Sequence, residues 1–208
     1  MSLEKRLPSG AMVMHATAVK QRVTLDQYRE FESAAQEKHI LWDGEIFPMW
    51  GMEGGSPEHA MIAANAIIAI GSRLRGKPCS AFTSDLKVWV PLKAGVVYPD
   101  VTIVCGALAL HEGKRDIVEN PVALIEVLSP GTESFDRAEK FAGDRTIASL
   151  RHYLMMSSVE PHVEHYERAA EGVWTLREFR AGDTLRLTSA TLELPIDELY
   201  DRAFEAAG

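Results

Sequence analysis

The sequence predicts an α/β fold built around a central sheet, on three observations. Segments with helical apolar spacing alternate with short β-rich runs through the first two thirds of the chain. The run Val122–Leu128 is apolar except for one carboxylate, Glu126, which is the pattern of a central strand covered on both faces. The last third is a series of strand-like segments parted by glycine-containing turns, which predicts an antiparallel finish.

In chain order, Thr24–Glu37 reads as a helix capped by Thr24, with Leu25, Tyr28 and Phe31 at helical spacing. Ile40–Met49 reads as a hairpin turned at Asp43-Gly44. Trp50–Gly55 is glycine-rich and is expected to be mobile. Ser56 then caps, and Pro57 opens, a helix apolar on most sides, expected to be buried and to stop before Gly76-Lys77-Pro78. Ser80–Pro91 and Val96–Val104 read as strands, the second interrupted by Pro99. After the Glu126 strand, a helix capped by Thr132 is expected from Glu133 to about Leu150. Strands follow at His152–Ser157, His162–Glu167, Val173–Phe179, Leu185–Leu187 and Thr191–Leu194, then a short helix, Ile196–Phe204. With no repeat and no linker, the expected organisation is a flexible N-terminal arm over residues 1–20 and a single domain over 21–208.

Composition narrows the function classes. A chain of 208 residues, 46% apolar and 25% charged, is long enough and balanced enough for a sizeable core. The run Ala11–Val19 is too short and too polar for a membrane span, and poor as a signal peptide. Cys79 and Cys105 lack zinc spacing, so neither a disulfide framework nor a structural zinc is expected; two lone thiols fit a reducing cytoplasm. The net charge of −8 counts against a broadly basic, nucleic-acid-gripping surface. A nucleic-acid-binding chain of this composition needs a local basic groove or binds weakly.

The chemistry lies in carboxylates. Glu126 inside an apolar strand is costly to bury unless it is paired or meets a metal; alternation puts it on the face of Leu128 and opposite Val127. Asp100 follows Tyr98-Pro99 on the preceding strand, so adjacent strands would bring Asp100 and Glu126 together. Two carboxylates that close repel unless a cation lies between them, and oxygen donors favour Mg2+ or Mn2+. Glu133, Asp136 and Lys140 share one face of the following helix, where Lys140 either turns to the carboxylates or makes a plain surface pair with Asp136. His162-Val-Glu164-His165 looks like a metal cluster, but alternation splits it between faces and a solvated strand face is the better expectation. Trp42, Trp89 and Trp174 are expected to pack; Trp50, opening the glycine-rich stretch, is a candidate substrate contact.

Val97-Tyr-Pro-Asp100, Pro121-Val-Ala-Leu-Ile-Glu126-Val-Leu-Ser-Pro130 and Asp136-Arg-Ala-Glu-Lys140-Phe141 together closely resemble the Uma-type family of endonucleases, in the PD-(D/E)XK superfamily. Asp43-Gly-Glu45-Ile46, Ser56-Pro-Glu-His59 and Ser84-Asp-Leu-Lys87-Val88 also fit, and the resemblance runs from about Thr24 to Tyr200. It implies a restriction-endonuclease-like fold, a central mixed sheet flanked by helices with antiparallel C-terminal strands. It further implies a metal held by Asp100, Glu126 and the Val127 carbonyl, and catalysis by Asp100, Glu126, Lys140 and Glu45. His59, Lys87 and Trp50 become candidate substrate-binding residues, with DNA the expected partner and a homodimer the expected assembly. The strand reads Glu126-Val-Leu128, without the lysine of E-x-K, so activity depends on Lys140 reaching the site; an aromatic usual four residues beyond that lysine is Asp144 here. The first rival is a non-catalytic binding or assembly module on the same fold. The second is a hydrolase using Asp100 and Glu126 as an acid/base pair on a sugar or small phosphoester.

Overall fold

The computed structural model describes residues 22–49, 56–113, 116–131 and 133–205. The expected N-terminal arm, the Trp50–Gly55 stretch and the Thr132 cap lie outside the described residues. Helix α1 (Leu25–Ala34) opens at Thr24, whose side chain accepts from Gln27 N–H while the Gln27 side chain accepts from Thr24 N–H. Strands β1 (His39–Trp42) and β2 (Glu45–Pro48) form the expected hairpin, with Asp43 and Gly44 both at positive φ, as a tight two-residue turn requires. Helix α2 (Pro57–Leu74) is capped by Ser56 and buries Ile62, Ala66, Ala69, Ile70 and Leu74; Ile68 is exposed, so the helix is amphipathic, not fully covered.

Each of the next two apolar runs divides between two sheets. β3 (Cys79–Thr83) and β4 (Lys87–Val90) part at a turn where Leu86 N–H donates to the Thr83 carbonyl. β5 (Gly95–Val97) and β6 (Val101–Cys105) part at Pro99, which has no N–H to give a ladder. β7 (Ile117–Val118) and β8 (Pro121–Leu128) follow. A helical stretch comes next: α3 (Glu133–Phe135), a π turn (Asp136–Lys140) and α4 (Phe141–Asp144). The chain ends with β9 (His152–Ser157), β10 (His162–Arg168), β11 (Trp174–Arg180), β12 (Thr184–Leu187), β13 (Leu192–Pro195) and α5 (Ile196–Leu199).

The large sheet has the order β11-β10-β9-β8-β6-β3, and β8 pairs antiparallel with β6 but parallel with β9. The sheet is therefore mixed, and the helical stretch is the crossover between its two parallel strands. A smaller sheet, β2-β1-β5-β4-β7, lies against one face, and the β12-β13 pair lies with α2 and α5 on the other. Alternation along β8 divides the core. Ala123, Ile125 and Val127 pack with α2, β12-β13 and α5, whereas Leu124 and Leu128 pack with Trp42, Val97, Phe141 and Tyr153 between the sheets. On the outer side of the small sheet, α1 sets Tyr28 against Leu41, Val96 and Ile117. The Tyr98 hydroxyl donates to Glu32 of α1, and the Tyr28 hydroxyl to the His39 carbonyl.

The helix after β8 ends at Asp144, short of the expected Leu150. Ile147 N–H turns back to the Asp144 carbonyl, and the Arg168 guanidinium donates to the Ile147 and Ala148 carbonyls, ending helical propagation. Gly143 faces the small sheet: a Cβ there would lie 2.5 Å from the Trp42 indole. Gly143→Ala is expected to cost about 1–3 kcal/mol through this overlap, read as a lowered urea midpoint at unchanged slope.

Two expectations are corrected. Cys79 and Cys105 are not lone thiols; they stand opposite each other in the β3–β6 register and form a disulfide. The sequence carried no spacing signal because the pairing is set by strand register. Reduction is expected to cost roughly 2–4 kcal/mol, seen as a lower Tm with dithiothreitol that a Cys79→Ser/Cys105→Ser variant does not show. The His162–His165 segment is not a solvated face either. His165 is 2% exposed, because β12-β13 and its turn cover that side of β10, and Glu164 on the other side pairs with Arg137. Trp42 and Trp174 pack as expected, Trp42 edge-on to Phe135 and Trp174 edge-on to Phe141. Among the described residues no helix is long and apolar enough to cross a membrane.

Candidate active site

β6 and β8 run antiparallel with Val101 opposite Ile125, so Asp100, one residue before β6, stands across from Glu126. The Val127 N–H donates to Asp100 Oδ2 at 2.8 Å, fixing that carboxylate against β8. Glu126 projects from the face shared with Leu124 and Leu128, toward the crossover helix. The π turn brings Lys140 down onto it. Phe141 N–H reaches the Asp136 carbonyl, widening the helix by one residue per turn, and Lys140 Nζ contacts Glu126 Oε1. Lys140 is 5% and Glu126 7% exposed.

Lys140 has a second anion. Asp144 Oδ2 lies 3.0 Å from its Nζ and 3.2 Å from the Tyr153 hydroxyl, which donates from β9. Of the two readings of Lys140, the structure shows the turn to the carboxylates, a buried pairing with Glu126 and Asp144, and Asp136 is itself buried beside the group. On the other flank, His59 in the first turn of α2 sets Nε2 3.5 Å from Asp100 Oδ2.

The electrostatics follow from this crowding. Burial pushes the Glu126 carboxyl well above the usual carboxylate range; Asp100 and Asp136 push the same way, and Lys140 opposes. Burial pulls at Lys140 in the opposite sense, but Asp144 and Glu126 outweigh it and hold the ammonium protonated. The hydrogen bond to Asp100 raises His59, helped by the Val127 carbonyl and Asp136 against the effect of burial. Four carboxylates (Asp100, Glu126, Asp136, Asp144) therefore face one lysine and one histidine.

This donor set fits a hard cation. The atoms on offer are oxygens, and the negative charge exceeds the positive charge set against it. Among the described residues no three His, Cys, Asp or Glu side chains converge on one point.

Lys87, Glu45 and Trp50 are the remaining sequence candidates. Lys87 lies on β4, 3.2 Å from Asp116, with its ammonium over the Tyr98 ring. Glu45 stands on β2 opposite Trp42. Trp50 lies outside the described residues. Sequence reading gave Asp144 and Tyr153 no role in the site. The i, i+4 spacing of Lys140 and Asp144 was the one available signal, and the π turn that turns both inward had none.

The fold is restriction-endonuclease-like, of the nuclease type. The structure of "a putative nuclease belonging to DUF820" from Anabaena variabilis superposes with a TM-score of 0.66 at 17% identity, covering 88% of this chain and 99% of that one. The sequence pattern of the Uma2 family, described as "Putative restriction endonuclease", matches residues 25–197, and the chain belongs to that family. Two uncharacterized proteins of Synechocystis sp. are similar over most of their length. The protein slr1290 is 30% identical, with 91% of this chain and 97% of that protein covered; sll1609 is 29% identical, with 79% and 92% covered.

Proposed function

We propose that this chain is a divalent-metal-dependent endonuclease that hydrolyses phosphodiester bonds in DNA. The observation that carries the reading is the placement of Asp100 and Glu126 across from each other on neighbouring strands, with Lys140 on the same face. In this reading Asp100, Glu126 and the Val127 carbonyl hold Mg2+ or Mn2+, which when bound supplies charge stabilisation at the phosphate and a more acidic water. The Val127 N–H holds Asp100 by Oδ2, and in this reading Oδ1 turns to the ion. Lys140 presents a charged donor to the attacking water or to the developing phosphorane charge, in place of the missing strand lysine. Glu45 completes the water shell, and His59, Lys87 and Trp50 contact the substrate. A homodimer of 21–208 domains in the cytoplasm belongs to the same proposal, although the Cys79–Cys105 bridge counts against a reducing compartment.

The non-catalytic reading is favoured by one observation. Lys38, Lys87, Lys93 and Arg29 are all ion-paired with aspartates, so these cations are already occupied. The deciding experiment is nicking of supercoiled plasmid by the purified chain with millimolar Mn2+. Open-circular product that EDTA suppresses supports the nuclease. A chain that binds Mn2+ calorimetrically but leaves DNA and RNA intact is not a nuclease, and one that takes up no Mn2+ is the non-catalytic module.

A further inference from the structure

Lys140 and the expected metal compete for the same carboxylate. Its ammonium contacts Glu126 Oε1, one of the two side chains assigned to the ion. A divalent cation arriving at Asp100 and Glu126 would repel that ammonium across a few ångströms of buried, poorly screening protein. Lys140 cannot easily swing into solvent: it is 5% exposed and its Nζ lies over the Tyr153 ring. A buried ammonium without an anion is strongly unfavourable.

Asp144 offers an alternative on the far side of the lysine. It is fully buried one helical turn beyond Lys140, and its Oδ2 already accepts from Nζ at 3.0 Å. The Tyr153 hydroxyl pins the same oxygen, while Asp144 Oδ1 is buried with no hydrogen-bond partner among the described residues. A second acceptor oxygen is thus available where the lysine would move.

Resting on the metal reading of the site, we propose that Asp144 is a positioning residue for Lys140: it retains the ammonium in the site when Glu126 turns to a divalent cation. In the ion-free chain Lys140 neutralises Glu126 and the fold tolerates the buried carboxylates. With the ion in place Lys140 leans on Asp144 and stays within reach of the phosphate. Without Asp144, the lysine remains on Glu126 and competes with the metal.

The test is calorimetric titration of Mn2+ into the full chain, with no DNA present. Asp144→Asn keeps the shape and removes the charge; Asp144→Ala removes both. Each should weaken Mn2+ binding by about tenfold or more, because the buried ammonium is then left with Glu126 as its anion and competes with the ion for it. In a Lys140→Met background there is no ammonium to retain, and Asp144→Asn should change the affinity by less than about twofold. An equal loss in both backgrounds would make Asp144 a purely structural residue, and no loss in either would leave it without a role toward Lys140; both overturn the proposal. Wild-type chain that takes up no Mn2+ removes the metal reading itself and this proposal with it, an outcome distinct from a binding wild type whose Asp144 variants are indifferent. Thermal unfolding of each variant separates loss of fold from loss of affinity, and Asp144→Asn carries the test if Asp144→Ala does not fold.

Discussion

Asp100→Asn is expected to lower manganese-dependent plasmid nicking by about a thousandfold or more, equivalent to roughly 4 kcal/mol of transition-state stabilisation. The side chain keeps its size but loses its charge. Its amide oxygen would stay with the Val127 N–H, because the amide nitrogen cannot accept that bond. The NH2 group would then take the place of the second carboxylate oxygen, presenting donors to the proposed cation. His59 would lose the charged partner that raises its proton affinity. The backbone contact survives, so the Tm should remain close to that of the wild type. Nicking at the wild-type rate would place the chemistry away from these strands.

The second large effect is on acid stability. His152 and His165 are buried side by side beneath the turn between β12 and β13. Ser189 N–H donates to His152 Nε2, so the proton of His152 is on Nδ1, which donates to His165 Nε2 at 3.0 Å. Burial pushes His165 down to about 4, with His152 adding to the fall and Glu167 opposing it. Burial lowers His152 as well, against Glu167. The folded chain therefore refuses protons that the unfolded chain accepts near pH 6.5. Stability is fully present above that value and drains away as pH falls toward about 4, by roughly 3 kcal/mol for His165 alone, with His152 adding to it. Urea unfolding at pH 7.5 and 4.5 should show the loss, and His165→Leu should remove about that much of the pH dependence. An unchanged dependence in that variant would mean the pair is not what resists protonation.

Much of the fold was legible because its signals are local. The Thr24 and Ser56 caps, the Asp43-Gly44 turn and the period of β8 each act within a few residues. The allocation of strands to two sheets was not legible, since Ser80–Pro91 and Val96–Val104 each look like one strand until the partners are known. In the site, alternation on β8 gave the face of Glu126, and Pro99 marked where Asp100 would leave the ladder. The inward turn of Lys140 and Asp144 depends on a hydrogen-bond shift in one helical turn, and the disulfide on which residue of β3 meets Cys105; neither leaves a trace in composition.

Pro99 also has a mechanical consequence. The chain changes layer between Val97 and Val101, so Asp100 sits at the joint where one β layer hands over to the other. Any sliding of the small layer on the large one would be felt at that carboxylate. The bolt against such slip is two residues upstream: Tyr98, tied to Glu32, fastens the joint to α1 on the molecule's outer wall. A helix on the outer side of the small sheet thereby sets how steadily Asp100 is held.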